Sequence, residues 1–381
     1  MKLDGVAVLG VGMTRFGVYP EKSNQDLARE AGLAALADAG LGFGEVDEAF
    51  VGYIFAPPMT GLKAMKELGL TGLPVTHVEN ASASGLVAFR EAAFAVASGR
   101  CDVALALGFD KMTEAGGGTA PGRDVIDSVI LPAAYFSLWA MRRMHERGTR
   151  PEHFARIAAK NWNHGALCPW SHRQAREPVT PEQVLASRKV AEPVTTMMTA
   201  PVDDGAAAVV LARKDFVKKR HPDRPLVVPV ASALKSECYT PGHTFLGPVV
   251  GPASMTRDTA RQAYEEAGLG PEDLSVAYVH DAFASEELEY YELLGICAEG
   301  EAEKLVEEGA TSLGGRIPFN TDGGLVARGH PGGPTGLAQI HEIALQLRGE
   351  AGPRQVDGAR VALAHLVGGG SVCDVEILVR E

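Results

Sequence analysis

Short apolar runs alternate along the chain with longer segments in which alanine and leucine are mixed with charged residues. The run from Val6 to Val11 is the first and is interrupted by glycine. Beyond it, Ser23 is placed to cap a helix through an alanine-rich segment to about Asp38, and Gly40 to stop it. Apolar strands alternating with amphipathic helices predict βαβ units, and hence a mainly parallel sheet covered on both faces.

The same pattern occurs twice. Ala39-Gly40-Leu41-Gly42 leading to Ala49-Phe50-Val51 returns as Ala267-Gly268-Leu269-Gly270 leading to Ala277-Tyr278-Val279 at the same spacing. Ser84-Gly85-Leu86 with Glu91 is echoed by Thr335-Gly336-Leu337 with Glu342, and Val103-Ala104-Leu105-Ala106 by Val361-Ala362-Leu363-Ala364. Matches that keep their order predict two similar halves packed together. The expected boundaries are 1–108 for the first part of the N-terminal half, 109–203 for a loop or cover domain, 204–225 for a return strand, and 226–381 for the C-terminal half.

The cover stretch holds all three tryptophans, Trp139, Trp162 and Trp170, and His145, His153, His164 and His172. An insertion this long is expected to act as a lid, substrate cover or oligomer contact. Histidines eight residues apart stand roughly 80° apart around a helix, and no HExxH or Cys/His cluster joins them, so no metal is expected. Gly10-Val11-Gly12 follows a strand as in a dinucleotide loop, but Arg15 stands where a third glycine would be needed.

Composition narrows the class. The 381 residues carry 36 Lys and Arg against 48 Asp and Glu, a net charge of −12, without a basic run. That argues against nucleic acid as a partner. The N-terminal segment lacks the order of a signal peptide and no apolar run approaches the roughly 20 residues of a membrane span, so a cytoplasmic, non-membrane protein is expected. Five scattered cysteines without a CxxC pair predict reduced thiols.

Three glycine-flanked segments carry candidate chemistry. In Val78-Glu79-Asn80-Ala81-Ser82-Ala83-Ser84-Gly85, Ser82 falls on a turn before a helix to about Ser98, where backbone N–H groups and the helix dipole favour an anionic nucleophile or oxyanion. His280-Asp281-Ala282-Phe283 ends an apolar strand. Gly323-Gly324-Leu325 through Gly329-His330-Pro331-Gly332-Gly333 surrounds one imidazole with small residues, which predicts a loosely packed ring. All three fall at equivalent ends of the repeated halves, where α/β sheets bind ligands.

With these motifs in order, and with Asp204-Gly205-Ala206-Ala207-Ala208 and the closing Gly368-Gly369-Gly370, the chain resembles the thiolase superfamily. The resemblance is to the branch that includes the thiolase part of sterol carrier and lipid-transfer proteins. It implies duplicated βαβαβαββ halves in five layers, an acyl-CoA thioester as substrate and no tightly bound cofactor. It also implies a homodimer, paired through the strand just after residues 101–108, and in some members a small zinc-ribbon and OB-fold acyl-CoA-binding subunit.

Carried over by position, the resemblance makes Ser82 the nucleophile, His330 the histidine that activates it and His280 that of an HDxF motif. His330 and His280 would hold the thioester oxygen, and the backbone N–H groups of Ser82 and Gly368 a second oxyanion. His365 would help proton transfer, while Leu366 stands where standard thiolases carry a second cysteine. The family has cysteine where this chain has Ser82, and a serine hydroxyl needs a stronger base than a thiol. The expected function is a thiolase-type acyltransferase acting next to a CoA thioester (Claisen or retro-Claisen). The alternatives are an aldol-type lyase on a 3-hydroxyacyl-CoA and a non-catalytic acyl-CoA or lipid-binding scaffold.

Overall fold

The computed structural model describes residue 3 and residues 5–114, 132–238 and 253–381. The first half runs β1 (Val6–Met13), α1 (Asn24–Ala39), β2 (Glu48–Gly52), α2 (Thr60–Leu68), β3 (Val75–Val78), α3 (Ser84–Ala97) and β4 (Val103–Lys111). The cover segment follows, with α4 (Pro132–Arg147), α5 (Pro151–Ala166), α6 (Pro181–Ala186) and the short pair β5 (Lys189–Ala191) and β6 (Val194–Thr195). Strand β7 (Asp204–Arg213) returns to the first sheet, and α7 (Lys214–Arg220) leads out of it. The second half is β8 (Val227–Ser236), α8 (Ala253–Ala267), β9 (Val276–Tyr278), α9 (Ala284–Leu293), α10 (Ala302–Glu307), α11 (Gly324–Ala327), α12 (Thr335–Arg348), β10 (Val361–Gly368) and β11 (Val372–Arg380).

The sequence repeat is a register repeat. Ala49 stands opposite Leu105 in the first sheet and Ala277 opposite Leu363 in the second. Ala49 also faces Val75 of β3; Ala277 faces Phe319, a single bridge where the first half has an edge strand. Gly40 and Gly268 end α1 and α8 in the left-handed region, at φ 67° and 65°. The Ser23 hydroxyl accepts from the Asp26 N–H at 3.2 Å, and the Asp26 carboxylate accepts from the Ser23 N–H at 2.9 Å, a reciprocal cap worth about 1 kcal/mol.

The sheets are ordered β1-β7-β4-β2-β3 and β8-β11-β10-β9. The expected mainly parallel sheet is corrected to a mixed one: β7 is antiparallel to both β1 and β4, and β11 to both β10 and β8. The reason lies in the last strand of each half. Strand β11 follows β10 through Gly369 and Gly370 at φ 53° and 74°, and so short a connection permits only antiparallel pairing. Strand β7 enters between β1 and β4 after the cover segment.

Side chains alternate between cores. Val6 and Val8 of β1 face a central layer formed by α3 and α12, whereas Ala7 and Leu9 face α1. On the second sheet, Ala362 and Ala364 face the same central layer, and Leu363 faces the core of α8 and α9. The order is helices, sheet, α3 and α12, sheet, helices, which is the five-layered arrangement expected. The repeated glycines Gly85 and Gly336 bring the two central helices together. A Cβ on Gly85 would lie 2.3 Å from the Gly333 carbonyl oxygen, and one on Gly336 2.6 Å from the Leu86 Cβ. Gly10 and Gly12 serve helix packing, each lying against α1.

Strand β4 is interior, with β2 and β7 on either side. The expected pairing strand after residues 101–108 therefore has no free edge in β4 itself, and residues 115–131 lie outside the described residues. The half-exposed edge of this sheet is β3.

Candidate active site

The turn before α3 is the most constrained piece of backbone in the site. Ala81 has φ 47°, a left-handed conformation that costs a non-glycine residue about 1 kcal/mol or more. It is held by the Ser84 hydroxyl, which donates to the Ala81 carbonyl at 2.6 Å and accepts from the Asn80 N–H at 2.8 Å. Ser82 is thereby placed one residue outside the helix cap, half-buried, with its Oγ 3.2 Å from His330 Nε2.

His330 is gripped rather than loosely packed, which corrects the expectation drawn from its glycines. Its Nδ1 lies 2.9 Å from the Thr335 hydroxyl, and its backbone N–H donates to Asp203 at 3.0 Å. The glycines admit these partners: a Cβ on Gly329 would overlap the Asp203 carboxylate, and the Gly333 N–H donates to Asp110 at 2.8 Å. Burial, helped by the charges of His280 and Arg328, holds the His330 ring well below the usual imidazole range. In the tautomer that donates Nδ1–H to Thr335, the neutral ring offers Nε2 to the Ser82 hydroxyl.

His280 stands edge-on to His330, with ring centroids 5.2 Å apart. Its Nδ1 is 2.9 Å from Glu286, whose carboxylate also accepts from the Phe283 N–H at 3.0 Å and the Tyr290 hydroxyl at 3.2 Å. Among the described residues, His280 Nε2 is buried and has no hydrogen-bond partner. Asp281 ties this segment to the glycine segment: it accepts from the Leu325 N–H at 2.6 Å and from Asn161 of the cover at 2.8 Å. The cover also meets the loop directly, through Phe136 stacked on Phe283 at 4.3 Å.

Gly368 lies against the turn that carries Ser82, since a Cβ there would come within 2.0 Å of the Asn80 carbonyl oxygen. His365 is not brought to Ser82. It is fully buried, with Nε2 3.4 Å from the Thr256 hydroxyl and its ring 4.3 Å from Tyr290, and burial pushes it down to about 3. Of the cover histidines, His153 faces Glu307, His164 the Asn320 carbonyl and His172 the Asp203 carboxylate. Glu286, Thr335 and Asp203, which fix the two site histidines, were not singled out by sequence reasoning. Thr335 lay inside a repeat and Asp203 beside a quoted motif; Glu286 carried no signal.

Burial pushes the Asp203 carboxyl up to about 6 from its ordinary 3.8, outweighing His172 and the His330 N–H, which lower it. The folded chain therefore favours the protonated acid. Its stabilising contribution is full below about pH 4 and falls, by about 3 kcal/mol at most, as pH rises to about 6. Asp203→Asn, which keeps an acceptor for the His330 N–H, is expected to flatten that part of the profile. Urea midpoints at pH 4 and 6.5 check this, and parallel profiles for the two proteins would contradict it.

The duplicated five-layered halves thus bring Ser82, His330 and His280 together. Residues 6–146 match the family Thiolase, N-terminal domain, and residues 250–379 the family Thiolase C-terminal domain-like. The chain belongs to the thiolase family. Its relatives place it in the sterol carrier and lipid-transfer branch. Sterol carrier protein 2 of Homo sapiens is 38% identical over 96% of this chain and 70% of its own length. Acetyl-CoA acetyltransferase of Methanothermobacter thermautotrophicus is 36% identical over 98% and 99%. Among solved structures, a chain of the Ltp2-ChsH2(DUF35) aldolase superposes with a TM-score of 0.84 at 26% identity, covering 99% of this chain and 98% of its own.

Proposed function

We propose that the chain makes or breaks a carbon–carbon bond next to a coenzyme A thioester, as a thiolase-type acyltransferase with Ser82 as nucleophile. The observation that carries this is the 3.2 Å contact between Ser82 Oγ and His330 Nε2 beside the free Nε2 of His280. In the cleavage direction His330 takes the Ser82 proton and Oγ attacks the 3-oxo carbon of the substrate, whose oxygen the backbone N–H groups of Ser82 and Gly368 hold. The bond between carbons 2 and 3 then breaks. The enolate of the departing acyl-CoA, held at His330 and His280 with Glu286 orienting the latter, takes the proton from His330 and leaves. The thiol of free CoA then gives its proton to His330 and attacks the acyl carbon, the carbon–Oγ bond breaks, and Ser82 recovers the proton. His365 takes part by backing Tyr290, which donates to Glu286. No tightly bound cofactor enters these steps, and the name of the acetyl-CoA acetyltransferase relative supports the substrate class.

A second reading, an aldol-type lyase on a 3-hydroxyacyl-CoA, is favoured by one observation. His330 Nδ1 faces the hydroxyl of Thr335 and not a carboxylate, so no anion steadies the imidazolium that forms when Ser82 gives up its proton. The likeness to the Ltp2-ChsH2(DUF35) aldolase supports the same reading. It also supports a small acyl-CoA-binding partner subunit. A panel of 3-oxoacyl-CoA esters with free CoA, and of 3-hydroxyacyl-CoA esters without it, decides between them. CoA-dependent cleavage of the former supports the acyltransferase; an aldehyde or ketone from the latter alone supports the lyase.

The chain is further proposed to act as a cytoplasmic homodimer, and among the described residues no helix is long and apolar enough to cross a membrane. The open edge of β3, beside the nucleophile turn, supports pairing between copies. Light scattering at micromolar concentration is expected to return twice the 40.2 kDa chain mass, and a monomer would contradict it.

A further inference from the structure

The pairing of a serine, not a cysteine, with a neutral imidazole opens an exit that carbon–carbon chemistry does not need. We propose that the chain is also an acyl-CoA hydrolase, with Ser82 carrying the acyl group and His330 activating water against it. The proposal rests on Ser82 being the nucleophile of the site described above. Its substrates are simple saturated acyl-CoA esters, which have no 3-oxo or 3-hydroxy group and so offer no carbon–carbon bond to cleave.

The chemistry of the carrier atom sets the direction. An acyl group on cysteine remains a thioester, and its return to CoA is nearly balanced. On Ser82 it becomes an oxygen ester, from which return to a thiol is uphill and hydrolysis to an acid is downhill. Water has access, because Ser82 and His330 both keep partial exposure. The base is set for both half-reactions: Nε2 is 3.2 Å from Oγ, and the ring is fixed by Thr335 at Nδ1 and by Asp203 at the backbone.

In the first half the Ser82 proton passes to Nε2, the Oγ–carbon bond forms, the carbon–sulfur bond breaks, and CoA leaves as the thiol with the proton from His330. In the second, water gives a proton to Nε2 as its oxygen joins the ester carbon. The carbon–Oγ bond breaks, His330 returns the proton to Oγ, and the acid departs. One water is consumed for each thiol and acid released. Without a carboxylate behind His330 the reaction should be slow, about 10⁴-fold below a complete serine triad.

The test uses butanoyl-CoA and octanoyl-CoA in ¹⁸O-labelled water, without free CoA or any other acceptor, with thiol release and label in the acid followed together. Equal amounts of CoA and labelled acid over many turnovers are expected, falling about 10²-fold or more in Ser82→Ala. An acyl-Ser82 seen by mass spectrometry with no acid released would overturn hydrolysis while leaving the nucleophile reading intact. Neither adduct nor thiol would overturn both. Acid release unchanged in Ser82→Ala would move any hydrolysis away from this site and overturn the proposal.

Discussion

Replacing His330 with alanine is expected to lower turnover by about 10² to 10³, with His280→Ala costing a similar factor, the usual loss when one donor to a developing oxyanion is removed. The two rings stand 5.2 Å apart and are fixed by separate partners, Thr335 and Asp203 for one and Glu286 for the other. Groups that act on the same oxygen lose much less in combination than the product of their single losses, so the double variant should fall well short of additivity. Melting temperatures should change modestly, because each ring contributes a few hydrogen bonds of about 1 kcal/mol. Unchanged turnover with lowered melting temperatures would assign both residues to structure and favour the non-catalytic acyl-CoA or lipid-binding scaffold.

How far the fold was readable in the sequence follows from the repeats. A duplicated strand and helix leaves the same apolar spacing twice, because both copies bury the same faces. The matched alanines, Ala49 and Ala277, occupy the same register, and the glycines Gly85 and Gly336 meet where the central helices touch. Strand direction was not readable in this way. The run that became β7 is apolar on both faces, as a buried parallel strand would be, since α1 covers one face and α3 and α12 cover the other.

The site was readable where chemistry needs rare local structure and unreadable where it needs partners from afar. Ser82 stood out because a turn at a helix start is a local feature. Asp203 works through distance, lying 127 positions from the His330 whose backbone it holds, whereas Glu286 is near His280 in sequence and escaped notice because a glutamate in the first turn of a helix is an ordinary feature. Glycines around an imidazole suggested slack, yet their missing side chains let carboxylates approach the backbone. Small residues in a motif mark close approach as readily as freedom.

The largest gain is expected from Ser82→Cys. The substitution changes one atom in a turn already set by Ala81 and Ser84, and it places a thiol of ordinary pKa near 8.5 against a neutral imidazole 3.2 Å away. A thiolate–imidazolium pair forms more readily than an alkoxide pair, and His330 lacks the carboxylate that a serine would need behind its base. An acyl group on sulfur also returns to CoA without an uphill step. CoA-dependent cleavage of 3-oxoacyl-CoA esters should therefore rise by about 10² or more, with an acyl-cysteine detectable by mass spectrometry. Ser82→Ala provides the counterpart. It should abolish thiolytic activity, whereas an aldol-type lyase needs no acyl relay and would retain most of its rate on a 3-hydroxyacyl-CoA. A cysteine variant that forms no adduct would remove residue 82 from the chemistry. An alanine variant still cleaving 3-hydroxyacyl-CoA would make the enolate site at His280 and His330 the whole of the catalytic apparatus.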